Sequence, residues 1–166
     1  ELSRFNMHYV ARAAGYDPDN FEKIIHLMLD DKDPVPPRAA WVAEIISAEN
    51  PRMVEPWIPD IIQKLDTFTH PGTRRNSLKI LERQKIEDED LLGILIETCF
   101  QWLNDGHKTI AVKVFSMQII ANHIPDYPEL GLELGEVIRN QLPGGSPGFK
   151  NRGKKILNYL EKMNRE

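Results

Sequence analysis

Four basic residues, Arg38, Arg75, Lys113 and Lys150, follow one another at separations of 37, 38 and 37 residues. Cations repeated so regularly suit the binding of carboxylates or phosphates, Arg through its planar fork of donors and Lys as a mobile point charge. Lys79 and Lys154 stand four residues after Arg75 and Lys150, one helical turn on, while Arg74, Lys108, Arg152 and Lys155 add charge beside them. Trp41, three residues after Arg38, is placed either to anchor a ligand next to the cation or to pack between helices.

Other chemistries find less support. His8, His26, His70, His107 and His123 never occur at the three- or four-residue spacing that sets two ligands on one helical face, so no metal pair is encoded. Cys99 is the single cysteine and sits in the apolar run Leu95-Ile96-Glu97-Thr98-Cys99-Phe100, which reads as a buried structural thiol. Glu87-Asp88-Glu89-Asp90 falls where a helix begins, so the acids serve free amides and the helix dipole rather than paired-carboxylate catalysis. Gly144-Gly145-Ser146-Pro147-Gly148 lacks both the preceding strand and the Gly-Lys-Ser/Thr ending of a phosphate loop, and reads as a turn. His70 and His107 open helices in capping roles, Trp102 belongs to the core, and Trp57 packs at a helix start. No catalytic residue and no cofactor or metal site is expected.

The elements that must carry these residues are helices throughout. Clusters of turn formers and caps divide the chain into nine, roughly 3–14, 19–30, 37–48, 56–67, 72–84, 89–104, 107–124, 128–142 and 147–163, with no alternating strand pattern. A second register confirms a repeat. Leu29, Leu65, Leu103 and Leu142 close alternate helices at separations of 36, 38 and 39, and one turn before them stand Ile25, Ile61, Cys99 and Ile138. A two-helix unit of this length cannot bury its apolar face alone, so neighbours must stack.

The chain has 166 residues, 41% hydrophobic, 28% charged and 8% aromatic, with 21 Lys+Arg against 25 Asp+Glu and a formal charge of −4. These values describe a folded globular protein and exclude a disordered one. No apolar stretch approaches the length of a membrane span, and the start has no basic-then-apolar leader, so a cytoplasmic address and no membrane partner are expected. Charge is uneven: residues 17–66 carry a net −6 and residues 141–166 a net +4. With a pI near 5.8, nonspecific binding to nucleic acid is disfavoured.

The segment from Asp31 to Trp41, with its acidic turn, Arg38 and then Ala39-Ala40, resembles the HEAT-repeat pattern, and the likeness extends from about residue 19 to 163. Ala39-Ala40-Trp41-Val42, Leu65-Asp66-Thr67-Phe68-Thr69, Gln101-Trp102-Leu103 and the run from Ala111 to Gln118 are similar to small bacterial HEAT-like proteins that sometimes carry an adenylosuccinate lyase label. That label does not fit this chain, because the lyase fold is a much longer helical bundle and its Ser-rich signature loop is absent. The resemblance implies an all-α, α-α superhelix of armadillo type. Its single domain, 1–166, would hold units at about 19–48, 52–84, 88–124 and 128–163, with 1–14 as a partial capping unit. It further implies that the second helix of each unit lines a concave face.

The expected function is therefore a non-catalytic binding scaffold. Arg38, Trp41, Arg75, Lys79, Lys113, Lys150 and Lys154 would meet an acidic or phosphorylated protein or peptide, with no small-molecule cofactor. The alternative for these cations is an internal ladder, pairing with Asp31 or Asp33 or capping carbonyls of the neighbouring helix. The alternative function is a DNA-binding or alkylpurine DNA glycosylase-like repair enzyme on the same fold, for which Asp33 or Glu44 near Trp41 is the available carboxylate.

Overall fold

A computed structural model describes residues 3–15, 17–32 and 34–163. Among them lie nine α-helices: α1 (Arg4–Ala14), α2 (Pro18–Leu29), α3 (Pro36–Glu49), α4 (Ile58–Lys64), α5 (Pro71–Leu81), α6 (Glu89–Asn104), α7 (Ile110–His123), α8 (Leu130–Gln141) and α9 (Pro147–Met163). The class is all-α, as the sequence implies. Helices α2, α3, α5 and α9 each start on a proline, whose missing N–H costs nothing where no intrahelical partner exists. Side chains cap several starts: Ser3 accepts from Asn6 N, Asp17 from Asp19 N, Asp88 from Leu91 N and Ser146 from Phe149 N.

Two predicted boundaries shift for identifiable reasons. The helix expected over 56–67 is broken into a 3₁₀ turn at Glu55–Trp57, α4, and a second 3₁₀ turn at Leu65–Thr67. Pro56 and Pro59 remove successive backbone donors there. The helix expected from 107 starts at Ile110. The His107 amide instead donates to Asp105 Oδ1 at 2.8 Å, and Thr109 becomes the cap that accepts from Val112 N.

The helices gather into two compact units, Glu1–Ile94 and Leu95–Glu166, with α6 running from one into the other. In the first, α1, α2 and α5 pack on α3, and α2 also meets α4. In the second, α7, α8 and α9 pack on one another. The close approach of α9 to α8 needs Gly153, where an added Cβ would stand 2.9 Å from Ile138 Cγ2.

The repeat register fills the core of each unit. Ile25, Ile61, Cys99 and Ile138 are fully buried, as are Leu65 and Leu103, with Leu29 nearly so and Leu142 half-buried. Each such side chain removed from water contributes about 1.5–3 kcal/mol. A hydrogen-bond ladder repeats at the same interval. Lys64 Nζ donates to the Leu29 carbonyl at 3.1 Å in the first unit, and Gln141 Nε2 donates to the Leu103 carbonyl at 3.0 Å in the second. In both cases the donor immediately precedes the next marker leucine. A helix C-terminus that would leave carbonyls unsatisfied is thereby closed by its neighbour. Asp31, at a φ of 47°, turns its carboxylate onto Thr69, accepting from the amide at 2.7 Å and the hydroxyl at 2.8 Å. Aspartate tolerates that left-handed backbone better than most residues.

Candidate functional site

In the first unit the candidate residues lie on α3 and α5, two helices in direct contact. Arg38 follows Pro36-Pro37 in the first turn of α3, and Arg75 lies in the second turn of α5. Both side chains are exposed, and among the described residues neither makes an ion pair or hydrogen bond. The ladder alternative for Arg38 finds Asp31 engaged with Thr69; Asp33 lies outside the described residues. Trp41 is half-buried one turn beyond Arg38.

Lys79 has a different environment. Its Nζ stands 3.0 Å from Glu44 Oε1, and Arg83, in the turn that follows α5, holds the same oxygen at 2.6 Å through Nη2 and 3.0 Å through Nη1. The Glu44 side chain is only 7% exposed, whereas those of Lys79 and Arg83 are 32% and 35% exposed. One buried carboxylate thus ties α3 to α5 and to the turn that follows it, through two cations that keep contact with water. Glu44 is the carboxylate that a base-excision reading placed beside Trp41, and here it is held between two cations.

In the second unit the candidate residues lie on α7 and α9, which also pack together. Lys113 is half-buried and donates from Nζ to Gln141 Oε1 at 3.1 Å, the same Gln141 whose amide caps Leu103. This column residue therefore belongs to the internal ladder. Lys150 is half-exposed in the first turn of α9 and Lys154 is exposed one turn on, and no ion pair or side-chain hydrogen bond engages either among the described residues.

Beside them α7 and α9 enclose a hollow of about 500 Å³ whose walls include Gln118, Asn122, Arg152, Lys155, Ile156 and Tyr159. Arg152 Nη1 donates to Gln118 Oε1 at 2.7 Å, and Gln118 Nε2 donates to Asn122 Oδ1 at 2.7 Å. The guanidinium is held in place by this relay, so less rotamer freedom is lost when it meets an anion. Buried Ile156 gives the hollow an apolar floor. Such a site can receive an apolar stem ending in a carboxylate or phosphate. The sequence pointed to Arg152 and Lys155 but not to Gln118 or Tyr159. Unit-length spacing was the available signal, since Gln118 and Arg152 stand 34 residues apart, and Glu44 and Arg83 stand 39 apart.

Other candidates take structural roles. His70 Nδ1 accepts from Gly72 N at 3.0 Å as the cap of α5. His26 packs edge-on against Trp57, with ring centroids 5.2 Å apart. Trp102 is buried, and Lys108 Nζ lies 5.2 Å from its ring while pairing with Asp105 at 3.6 Å. The Asp105 carboxyl is held below its ordinary pKa, first by the His107 amide and then by the charges of Lys108 and His107. Among the described residues no cluster of three or more His, Cys, Asp or Glu side chains could hold a metal ion. No described helix is long and apolar enough to cross a membrane.

Complete burial pushes the Cys99 thiol up to about 12. A nucleophilic or metal-binding cysteine needs the opposite shift. Native protein at pH 8 is expected to leave a thiol-specific disulfide reagent unreacted while the denaturant-unfolded chain reacts fully. Because the folded thiol keeps its proton to higher pH than the unfolded one, stability present below pH 9 is lost as pH rises toward 12. Rapid labelling of the native protein would contradict the burial.

The helix-pair geometry and the repeat register meet in one comparison: the model of the HEAT repeat domain family matches residues 1–160, a span that holds the first unit and all but the last six residues of the second. The chain belongs to the HEAT repeat family. No curated protein and no solved structure matches it significantly. HEAT repeats are generally protein-interaction scaffolds and typically lack enzymatic activity.

Proposed function

We propose that this HEAT repeat chain binds an acidic or phosphorylated protein segment through the second helices of its repeated helix pairs. Arg38, Trp41, Arg75 and Lys79 would act in the first unit and Lys113, Lys150 and Lys154 in the second. The reading rests on one observation above others: Arg38 and Arg75 are exposed on touching helices and are unpaired among the described residues. A cation with no internal partner contributes little to folding and is available to an external anion. Lys79 and Lys113 have a second role, since each anchors its helix through Glu44 or Gln141 while keeping its charge near the surface.

Arrayed peptides rich in Asp and Glu, and the same sequences with phosphoserine, are the direct test, read alongside duplex DNA from low to physiological salt. Acidic peptides are expected to bind, with affinity falling as salt rises, and phosphorylated versions to bind more tightly. DNA binding that is stronger than peptide binding would favour the repair-enzyme reading instead.

A further inference from the structure

We propose that this chain associates with a second copy of itself by docking the outer face of α1 into the hollow between α8 and α9. The two most exposed large apolar side chains among the described residues are Phe5 on α1 and Leu132 on α8, each 77% exposed. Helix α1 turns Met7 and Ala11 inward and rests on α3, leaving Phe5, Tyr9 and Val10 outward. Phe5 and Tyr9 are one turn apart and form a continuous aromatic strip, the residue type that dominates interface cores.

The receiving surface is a hollow of about 410 Å³ lined by Ile124, Pro128, Leu132, Arg139, Leu160 and Met163, large enough for an aromatic side chain. Charge selects this pairing over others. Helix α1 carries Arg4 and Arg12, both exposed, and no acidic residue. Glu133 and Glu136 lie on the exposed side of α8, with exposed Glu129 immediately before the helix. Apposition of two α1 strips would set like charges together, and so would apposition of two α8 faces, whereas α1 against α8 sets Arg against Glu. Arg139 within the hollow can lie over the face of an entering ring. The surfaces that meet are different, so the contact is heterologous and a pair joined by it keeps one free strip and one free hollow. Proposed partner binding through Arg38 and Arg75 involves neither surface.

Sedimentation equilibrium of the intact chain and two variants decides the matter. The wild type is expected to show concentration-dependent association beyond a dimer. Phe5→Glu/Tyr9→Glu removes the inserting strip and Leu132→Glu obstructs the hollow, and each variant alone is expected to bind itself at least about thirtyfold more weakly. Mixed together, the two should form a dimer and nothing larger, since one intact strip and one intact hollow remain; that recovery also shows that both variants are folded. A wild type that stays monomeric to about 1 mM, association untouched by Leu132→Glu, or a mixture that fails to dimerise would each overturn the proposal.

Discussion

A chain carrying Arg38→Glu and Arg75→Glu is expected to bind acidic peptides at least about a hundredfold more weakly than the wild type, with its melting temperature nearly unchanged. Both side chains are exposed and make no ion pair among the described residues, so reversing their charge removes no native interaction there. The entire effect then falls on the ligand, where two attractions become two repulsions. Each single Arg→Ala change should weaken binding by roughly three- to tenfold, the effect typical of a rim charge. The loss should shrink as salt rises, because exposed charges are screened within about 8 Å at physiological ionic strength. Fluorescence anisotropy with a labelled phosphorylated peptide reads both quantities. Unchanged affinity in the double variant would remove the first unit from the binding surface.

Glu44→Ala is expected to lower stability by about 2–3 kcal/mol and, in the same molecule, to raise affinity for acidic peptides several-fold. Removing one partner of a buried ion pair typically costs about 3–5 kcal/mol, and the lower figure applies here because Lys79 and Arg83 are each about a third exposed and can turn to water. Their release frees Lys79 on the face of α5 that already carries Arg75, and Arg83 in the turn that follows the helix. Thermal unfolding together with the anisotropy titration distinguishes this from a purely structural effect: loss of stability with no gain in affinity would mean that Lys79 and Arg83 lie away from the bound peptide. Stability unchanged by the substitution would contradict the clasp itself.

The architecture was legible because its markers are apolar and periodic. Ile25, Ile61, Cys99 and Ile138 are all fully buried at the same depth of successive first helices, and a sequence pattern of this kind reports burial directly. The polar ladder was half legible. Capping of a neighbouring helix carbonyl does occur once per unit, but Lys64 and Gln141 make those bonds, and the column residue Lys113 joins only through Gln141. Side chains this long reach several backbone groups, and spacing does not choose among them. Glu44 illustrates the same limit: its position suggested a carboxylate beside Trp41, while its partners lie a full repeat away, on α5 and in the turn that follows it. The fragmentation of the 56–67 helix followed from prolines whose number was visible but whose joint effect depends on how the preceding chain enters. Arg152 was legible as charge, but not as a charge fixed by Gln118 and Asn122 across two helices.

The central claim is that unpaired cations on the second helices are the surface that meets an acidic segment. Amide chemical-shift mapping during titration with a phosphorylated acidic peptide tests it residue by residue. The expected result is a set of perturbations around Arg38 and Trp41 on α3, Arg75 on α5, and Lys150 and Lys154 on α9. Saturable binding with those amides unmoved, and with the shifts confined to the first helices α2, α4, α6 and α8, would contradict it.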